Sequence, residues 1–262
     1  MHRGFRWSTV FLLAGLVYPA AVWSQGNAPK IIRGTPKAPA LSAPASAPRT
    51  VPGSAAKPPG GEAAAAAASL QQGLKYLDAG DYDRAAKALQ QALAADPHSV
   101  EANYYLGVAW AAQGDQDRAI DRLNAALRLN PDFRQAQVAL GRIYNQQGLT
   151  LLRQGKPDQA ARLLREAVAH DPQNDQACNN LGVALGQQGK YTESLAALER
   201  AVTLNPNNDA AQFNLGVLHY SLGDKNATVQ QYAILTLRNP AAADELFRII
   251  QGTSEVATPF RF

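Results

Sequence analysis

A period of 34 residues constrains what this chain can fold into more than any other feature of its sequence. It is marked by five prolines, Pro97, Pro131, Pro172, Pro206 and Pro240, which are separated by steps of 34, 41, 34 and 34 residues. A fixed period in this range is typical of solenoids, in which stacked copies of one small unit share a continuous core.

The unit is clearest between residues 175 and 206. Leu181, Gly182 and Leu185 are spaced as one face of a first helix, which Gly189 ends. A second amphipathic helix follows, with apolar positions at Tyr191, Leu195, Leu198, Ala201 and Val202. Neither helix can bury its apolar stripe alone, so the pair requires neighbouring units.

The same pattern returns one repeat downstream and two repeats upstream. Leu106-Gly107 and Leu215-Gly216 repeat Leu181-Gly182 at the matching distance from the next proline. An apolar–Gly pair in the first helix, small and apolar residues in the second and a closing Pro resemble the tetratricopeptide repeat family, over residues 66–240. The resemblance implies an all-α, right-handed α-solenoid of about five helix-turn-helix repeats with a C-terminal capping helix.

The repeat register divides the chain into regions. The expected repeat domain covers residues 62–251, with repeats at about 66–99, 100–133, 134–174, 175–208 and 209–242, and a cap at 243–251. Residues 252–262 are expected to form a flexible tail.

The third repeat is seven residues longer than the others. Leu140-Gly141 matches the first helix of the other repeats and Ala160 matches the second, so the extra residues fall between Tyr144 and Ala160. Seven residues are close to two helical turns, which favours one long helix from Asp132 to about Gln154. A small loop at Gln147-Gly148 is the alternative. The insertion is either tolerated or a protrusion that binds a partner.

The first 24 residues have the layout of a secretory signal peptide. Arg3 and Arg6 precede an apolar run over residues 10–23, and small residues follow. This predicts an exported protein, periplasmic or secreted. The alternative is an uncleaved segment that anchors the chain to the membrane.

Residues 25–61 differ in composition and charge. They are rich in Pro, Ala, Ser and Gly, and such a segment cannot bury enough apolar surface to fold. We therefore expect a disordered linker. No Asp or Glu precedes Glu62, so removing the seven basic residues of leader and linker from the 25 in the chain leaves 18 against 21 acidic residues. The repeats lack the basic excess of nucleic-acid-binding domains, and membrane contact is expected only through the N-terminal segment or the basic linker.

Motifs for catalysis, cofactors or metals are not found in the sequence. It lacks a phosphate-binding loop, a dinucleotide-binding glycine pattern and a His-Glu-x-x-His pair. The histidines are spread over different repeats, and Cys178 is the single cysteine, so no intramolecular disulfide can form. We expect no enzyme activity, no cofactor and no metal site.

The resemblance also implies where a partner binds, because in this family the first helices line a concave groove. Carried over by position, the groove residues are Tyr104, Val108, Val138, Arg142, Asn145, Asn179, Asn180, Val183, Phe213, Asn214, Val217 and Tyr220. We expect Tyr104, Asn180, Phe213 and Asn214 to be exposed contacts for a protein or peptide segment, because aromatic rings supply contact area and amides pair with backbone groups.

Two functions from different classes follow. The first is a non-catalytic scaffold or assembly factor that binds a peptide segment in the groove. The second is a membrane-anchored accessory subunit of an envelope complex, held by an uncleaved N-terminal segment.

Overall fold

The structure is a computed structural model that describes residues 61–252. These residues form eleven α-helices and no strand. The helices are α1 (Gly61–Asp78), α2 (Tyr82–Ala95), α3 (Val100–Ala112), α4 (Gln116–Leu129), α5 (Arg134–Arg153), α6 (Pro157–His170), α7 (Asp175–Gln187), α8 (Tyr191–Leu204), α9 (Asp209–Ser221), α10 (Lys225–Arg238) and α11 (Pro240–Ile250). The predicted signal peptide, most of the linker and nearly all of the tail lie outside the described residues, and the division into these regions stays a prediction.

The helix boundaries follow from local sequence. Asp115 and Asn208 each precede a helix, and their side-chain oxygens accept hydrogen bonds from the backbone N–H groups of Arg118 and Ala211. Such caps satisfy donors that the first helical turn leaves unpaired. Gly189 lies between α7 and α8 with a φ of 74°, a conformation that favours glycine and reverses the chain direction.

The helices pack as five hairpins in sequence order. Each odd-numbered helix from α1 to α9 pairs with the helix that follows it, and it also contacts the odd-numbered helix of the next hairpin. Each even-numbered helix from α2 to α8 packs against the first helix of the next repeat, and α11 closes the array on α9 and α10. The predicted all-α, right-handed solenoid of about five repeats and a capping helix is confirmed.

Glycines mark the close approach within the hairpins. A Cβ atom on Gly107 would lie 2.8 Å from Cγ of Leu123, and one on Gly182 would lie 2.5 Å from Cγ of Leu198. Larger residues would force the two helices apart. Both leucines are fully buried, so these contacts form the centre of their repeats.

The third repeat contains one long first helix, as predicted. Helix α5 runs through Gln147-Gly148 without interruption, which excludes the alternative loop there. The prediction that Gly141 is the third-repeat counterpart of Gly107 and Gly182 is wrong, however. A Cβ on Gly148 would lie 2.5 Å from Cγ of Leu164, the contact that the other repeats make, whereas Gly141 faces Asp171 beyond the end of α6.

The physical reason is the helical period. Seven residues make almost two full turns, so Gly141 and Gly148 lie on the same face of α5 and sequence spacing cannot separate them. The first half of α5 packs into the core of the first two repeats, through Leu140 and Ile143. Leu152 belongs to the core of the later repeats. Helix α5 therefore joins two apolar clusters.

The fifth repeat closes differently from the others. Tyr232 stands 34 residues after Leu198, and Gly216 is instead contacted by Leu246 of α11, whose Cδ2 lies 2.8 Å from a Cβ built on that glycine. Leu246 is fully buried. Leu246 of the capping helix thus makes the contact with a first-helix glycine that a leucine of the second helix makes in the other repeats. Among residues 61–252, no helix is both long and apolar enough to span a membrane.

Candidate interaction surface

The twelve predicted groove residues all lie on four first helices, α3, α5, α7 and α9. Each of these helices contacts the next, so their side chains belong to one continuous row of helices. This arrangement follows from the repeat period, which places equivalent positions side by side. The exposure of the individual side chains differs from the prediction.

Seven of the twelve side chains are buried. They are Tyr104, Asn179, Asn180, Val183, Phe213, Asn214 and Val217. The expectation that Tyr104, Asn180, Phe213 and Asn214 are exposed is therefore wrong. Small residues let the first helices approach closely, and each buried side chain is covered by neighbouring repeats. Phe213 is only 1% exposed and belongs to the same apolar cluster as Val183 and Leu246.

Tyr104 was expected to contact a partner, but its side chain packs inside the fold. Its ring meets the ring of Phe133 edge-on at 5.3 Å between centroids, across the interface between the second and third repeats. Burial raises the pKa of the Tyr104 hydroxyl, while the nearby positive charge of Arg142 opposes that rise. The ring stabilises the packing of α3 against the third repeat.

The buried asparagines form a chain of hydrogen bonds that crosses three repeats. Asn214 Nδ2 donates to Asn179 Oδ1 at 2.8 Å, Asn179 Nδ2 to Asn180 Oδ1 at 3.3 Å, and Asn180 Nδ2 to Asn145 Oδ1 at 2.9 Å. Buried amides require such partners, because an unpaired one carries a desolvation penalty. The amide groups that were expected to bind a peptide backbone therefore bind one another.

Five predicted residues keep solvent-accessible surface. Arg142 is exposed, Tyr220 is 41% exposed, and Val108, Val138 and Asn145 are half-buried. We call these five side chains the first-helix face. Arg142 makes no ion pair within residues 61–252, so its charge is open to a partner.

Three further exposed residues on the same helices were missed by the sequence analysis. Gln135 lies seven residues before Arg142 and Gln146 four residues after it, on the same side of α5, and Gln176 lies at the start of α7. The helical spacing from Arg142 could have indicated the two on α5. Glutamine is common on solvated helix faces, so its identity carries no signal.

Potential metal ligands are not clustered in the described part of the chain. No group of three His, Cys, Asp or Glu side chains in residues 61–252 is placed to hold a metal ion. Cys178 is buried, and burial raises the pKa of its thiol, so the reactive thiolate is disfavoured.

Comparison with known proteins identifies the repeat. The model of the family described as Tetratricopeptide repeat matches residues 70–132, 113–150, 145–209 and 179–248. No curated protein sequence matches the chain.

Among solved structures, MamA AMB-1 is 25% identical, with a TM-score of 0.52, over 70% of this chain and 97% of its own. MamA of Desulfovibrio magneticus RS-1 is 22% identical, with a TM-score of 0.50, over 70% and 98%. YrrB, described as a TPR protein with an unusual peptide-binding site, is 19% identical, with a TM-score of 0.51, over 69% and 90%. These likenesses support the solenoid fold.

Proposed function

Because this chain belongs to the tetratricopeptide repeat family, we propose that it is a non-catalytic scaffold or assembly factor that holds a segment of a partner protein against its first helices. Proteins of this family are in general interaction scaffolds without catalysis. The partner segment lies across the first-helix face, with Arg142 and Val138 at its centre and Tyr220 at its C-terminal end.

One observation carries the proposal: accessible polar and apolar side chains lie on α3, α5 and α9, which belong to one row of first helices joined by buried contacts. The amide chain from the buried Asn214 to Asn145 of that face joins α9, α7 and α5. A rigid row of helices loses little conformational entropy when it binds. Peptide binding by YrrB, a protein with the same fold, is consistent with this role.

The buried residues take a supporting role in this proposal. Tyr104, Asn180, Phe213 and Asn214 fix the spacing of the helices, and they contact the partner only through the surface that they shape. Arg142 supplies a charge for an acidic or backbone acceptor, and Val138 supplies apolar contact area.

The test is the affinity of matched arginine variants for a partner recovered by crosslinking from the native compartment. Arg142→Ala should weaken binding by about 1–3 kcal/mol, the range of an interface residue that dominates binding. Arg162→Ala on α6 is the control, because Arg162 is also exposed but lies on a second helix. Equal affinities of the two variants would indicate that the partner binds another surface.

We further propose that the protein acts outside the cytoplasm after removal of residues 1–24. The basic start and the apolar run over residues 10–23 support export. In the alternative, the same segment stays attached and anchors an accessory subunit of an envelope complex. The intact mass of the native protein separates the two, because cleavage removes the mass of the leader.

A further inference from the structure

Exposed apolar side chains are concentrated at the C-terminal end of the solenoid. Of the seven large apolar residues that are exposed in the described part of the chain, five belong to the last repeat and the cap: Tyr220, Leu222, Val229, Leu237 and Phe247. Leu237 is 88% exposed, the highest value among them. Soluble proteins rarely leave such a group of side chains uncovered without a use for it.

Three of these residues lie on two apolar stripes, one on α10 and one on α11. Val229, Ala233 and Leu237 follow one another at four-residue steps along α10, and so share one side of that helix. Phe247 and Ile250 share one side of α11 in the same way. Helix α10 approaches the α11 stripe through Tyr232, whose ring lies 6.0 Å from the ring of Phe247 between centroids.

The exposure of Val229 results from how the solenoid ends. In the preceding repeat, Leu195 is the equivalent of Val229, and it is half-buried against the core. After α10 there is no sixth repeat within the described residues, and α11 packs its Leu246 against α9 instead. Val229 consequently stays 60% exposed.

The described part of the chain ends beside the last repeat. The Tyr220 hydroxyl donates to the backbone oxygen of Ile250 at 3.2 Å, so α11 ends beside the end of α9, close to where α10 begins. Gly252 has a φ of 69°, and its N–H donates to the backbone oxygen of Ile249. This left-handed closing turn directs the chain away from the axis of α11.

We propose that residues 253–262 dock along the exposed stripe of α10 and α11 as a second cap. Val229 and Leu237 are eight residues apart, about 12 Å along a helix, and ten extended residues reach about 33 Å. The segment carries Val256, Phe260 and Phe262, and its only charged side chains are Glu255 and Arg261. It therefore has both the length and the apolar groups to cover the stripe, although its sequence alone predicts a flexible tail.

Disulfide trapping tests the proposal in the full chain with Cys178→Ala, which removes the native cysteine. In the test variant, L237C is combined with F260C. The control combines E199C with F260C, because Glu199 is the exposed equivalent of Ala233 on the preceding second helix, α8.

The docked tail predicts an intramolecular disulfide that forms at least tenfold faster with L237C than with E199C. Equal rates would overturn the proposal. Disulfide-linked dimers at L237C would also overturn it, and they would assign the stripe to a second copy of the chain.

A second readout leaves the stripe itself unchanged. In the full chain, Phe260→Ser with Phe262→Ser should raise the fluorescence of an added hydrophobic dye several-fold and lower the melting temperature. Arg261→Ser is the matched control and should change neither. If the double Phe variant resembles the native chain in both measurements, the stripe is not covered by the tail.

Discussion

Asn214 on α9 donates a hydrogen bond to Asn179 on α7, with 2.8 Å between Nδ2 and Oδ1, and both side chains are buried. The bond joins two repeats through the very amides that the sequence suggested for peptide binding. It continues through Asn180 to Asn145 on α5. In the proposed function, these asparagines contribute to binding by fixing the helices that carry the first-helix face.

Removing one end of this chain should destabilise the fold. Asn214→Ala leaves the Asn179 oxygen without this donor in a buried place, and should lower the free energy of unfolding by about 1–3 kcal/mol. Urea denaturation measures the change. Gln176→Ala, an exposed amide on α7, is the matched control and should stay within about 0.5 kcal/mol of the native chain.

The hairpin glycines should not tolerate a large side chain. Gly182→Leu would drive atoms into Leu198, whose Cγ lies 2.5 Å from a Cβ at that position, and should cost about 1–3 kcal/mol of stability. A Cβ at Gly61 meets no atom within 4 Å, so Gly61→Leu serves as the control. Equal melting temperatures for the two variants would contradict the packing described for α7 and α8.

Phe213 should act as a core residue. Phe213→Ala removes a ring that is fully enclosed, and should lower the free energy of unfolding by about 3–5 kcal/mol. Tyr191→Ala removes a ring that is 42% exposed and should cost less than about 1 kcal/mol. A Phe213→Ala variant with native stability but weakened partner binding would instead restore Phe213 as a direct contact.

The thiol of Cys178 should be unreactive in the folded protein. Burial both blocks access and raises the thiol pKa, so the thiolate fraction at pH 8 is below that of a free cysteine. Labelling by a disulfide reagent should be slow in buffer and rapid in denaturant. Rapid labelling of the folded protein would contradict this packing and would reopen a chemical role for the residue.

The sequence predicted the fold well because the repeat period is a long-range regularity. Five prolines at nearly constant steps specify stacked helix pairs, and the glycines at the hairpin contacts agree with that register except in the third repeat, where Gly148 replaces Gly141. Gly107 and Gly182 lie where this reasoning expects them. Local propensity, period and packing all indicate the same structure, which is the condition for a dependable prediction.

The exposure of side chains along the first helices was harder to predict because it depends on neighbouring repeats. Position within a repeat identifies the side of the helix on which Phe213 lies, but the approach of α7 and α11 decides that its ring is buried. Likewise, an asparagine that recurs at an equivalent place can form hydrogen bonds with a partner peptide or with the neighbouring repeat equally well. Only the distances between the helices distinguish these two roles, and those distances cannot be read from the sequence.

The central claim is that partners bind across the first-helix face, and site-specific photo-crosslinking tests it most directly. A photoreactive residue replaces Val138 on α5 in one variant and Glu199 on α8 in the other, and the yield of crosslinked partner is measured for each. Our account predicts a yield at Val138 that is several-fold above that at Glu199. A higher yield at Glu199, with both variants folded, would contradict it.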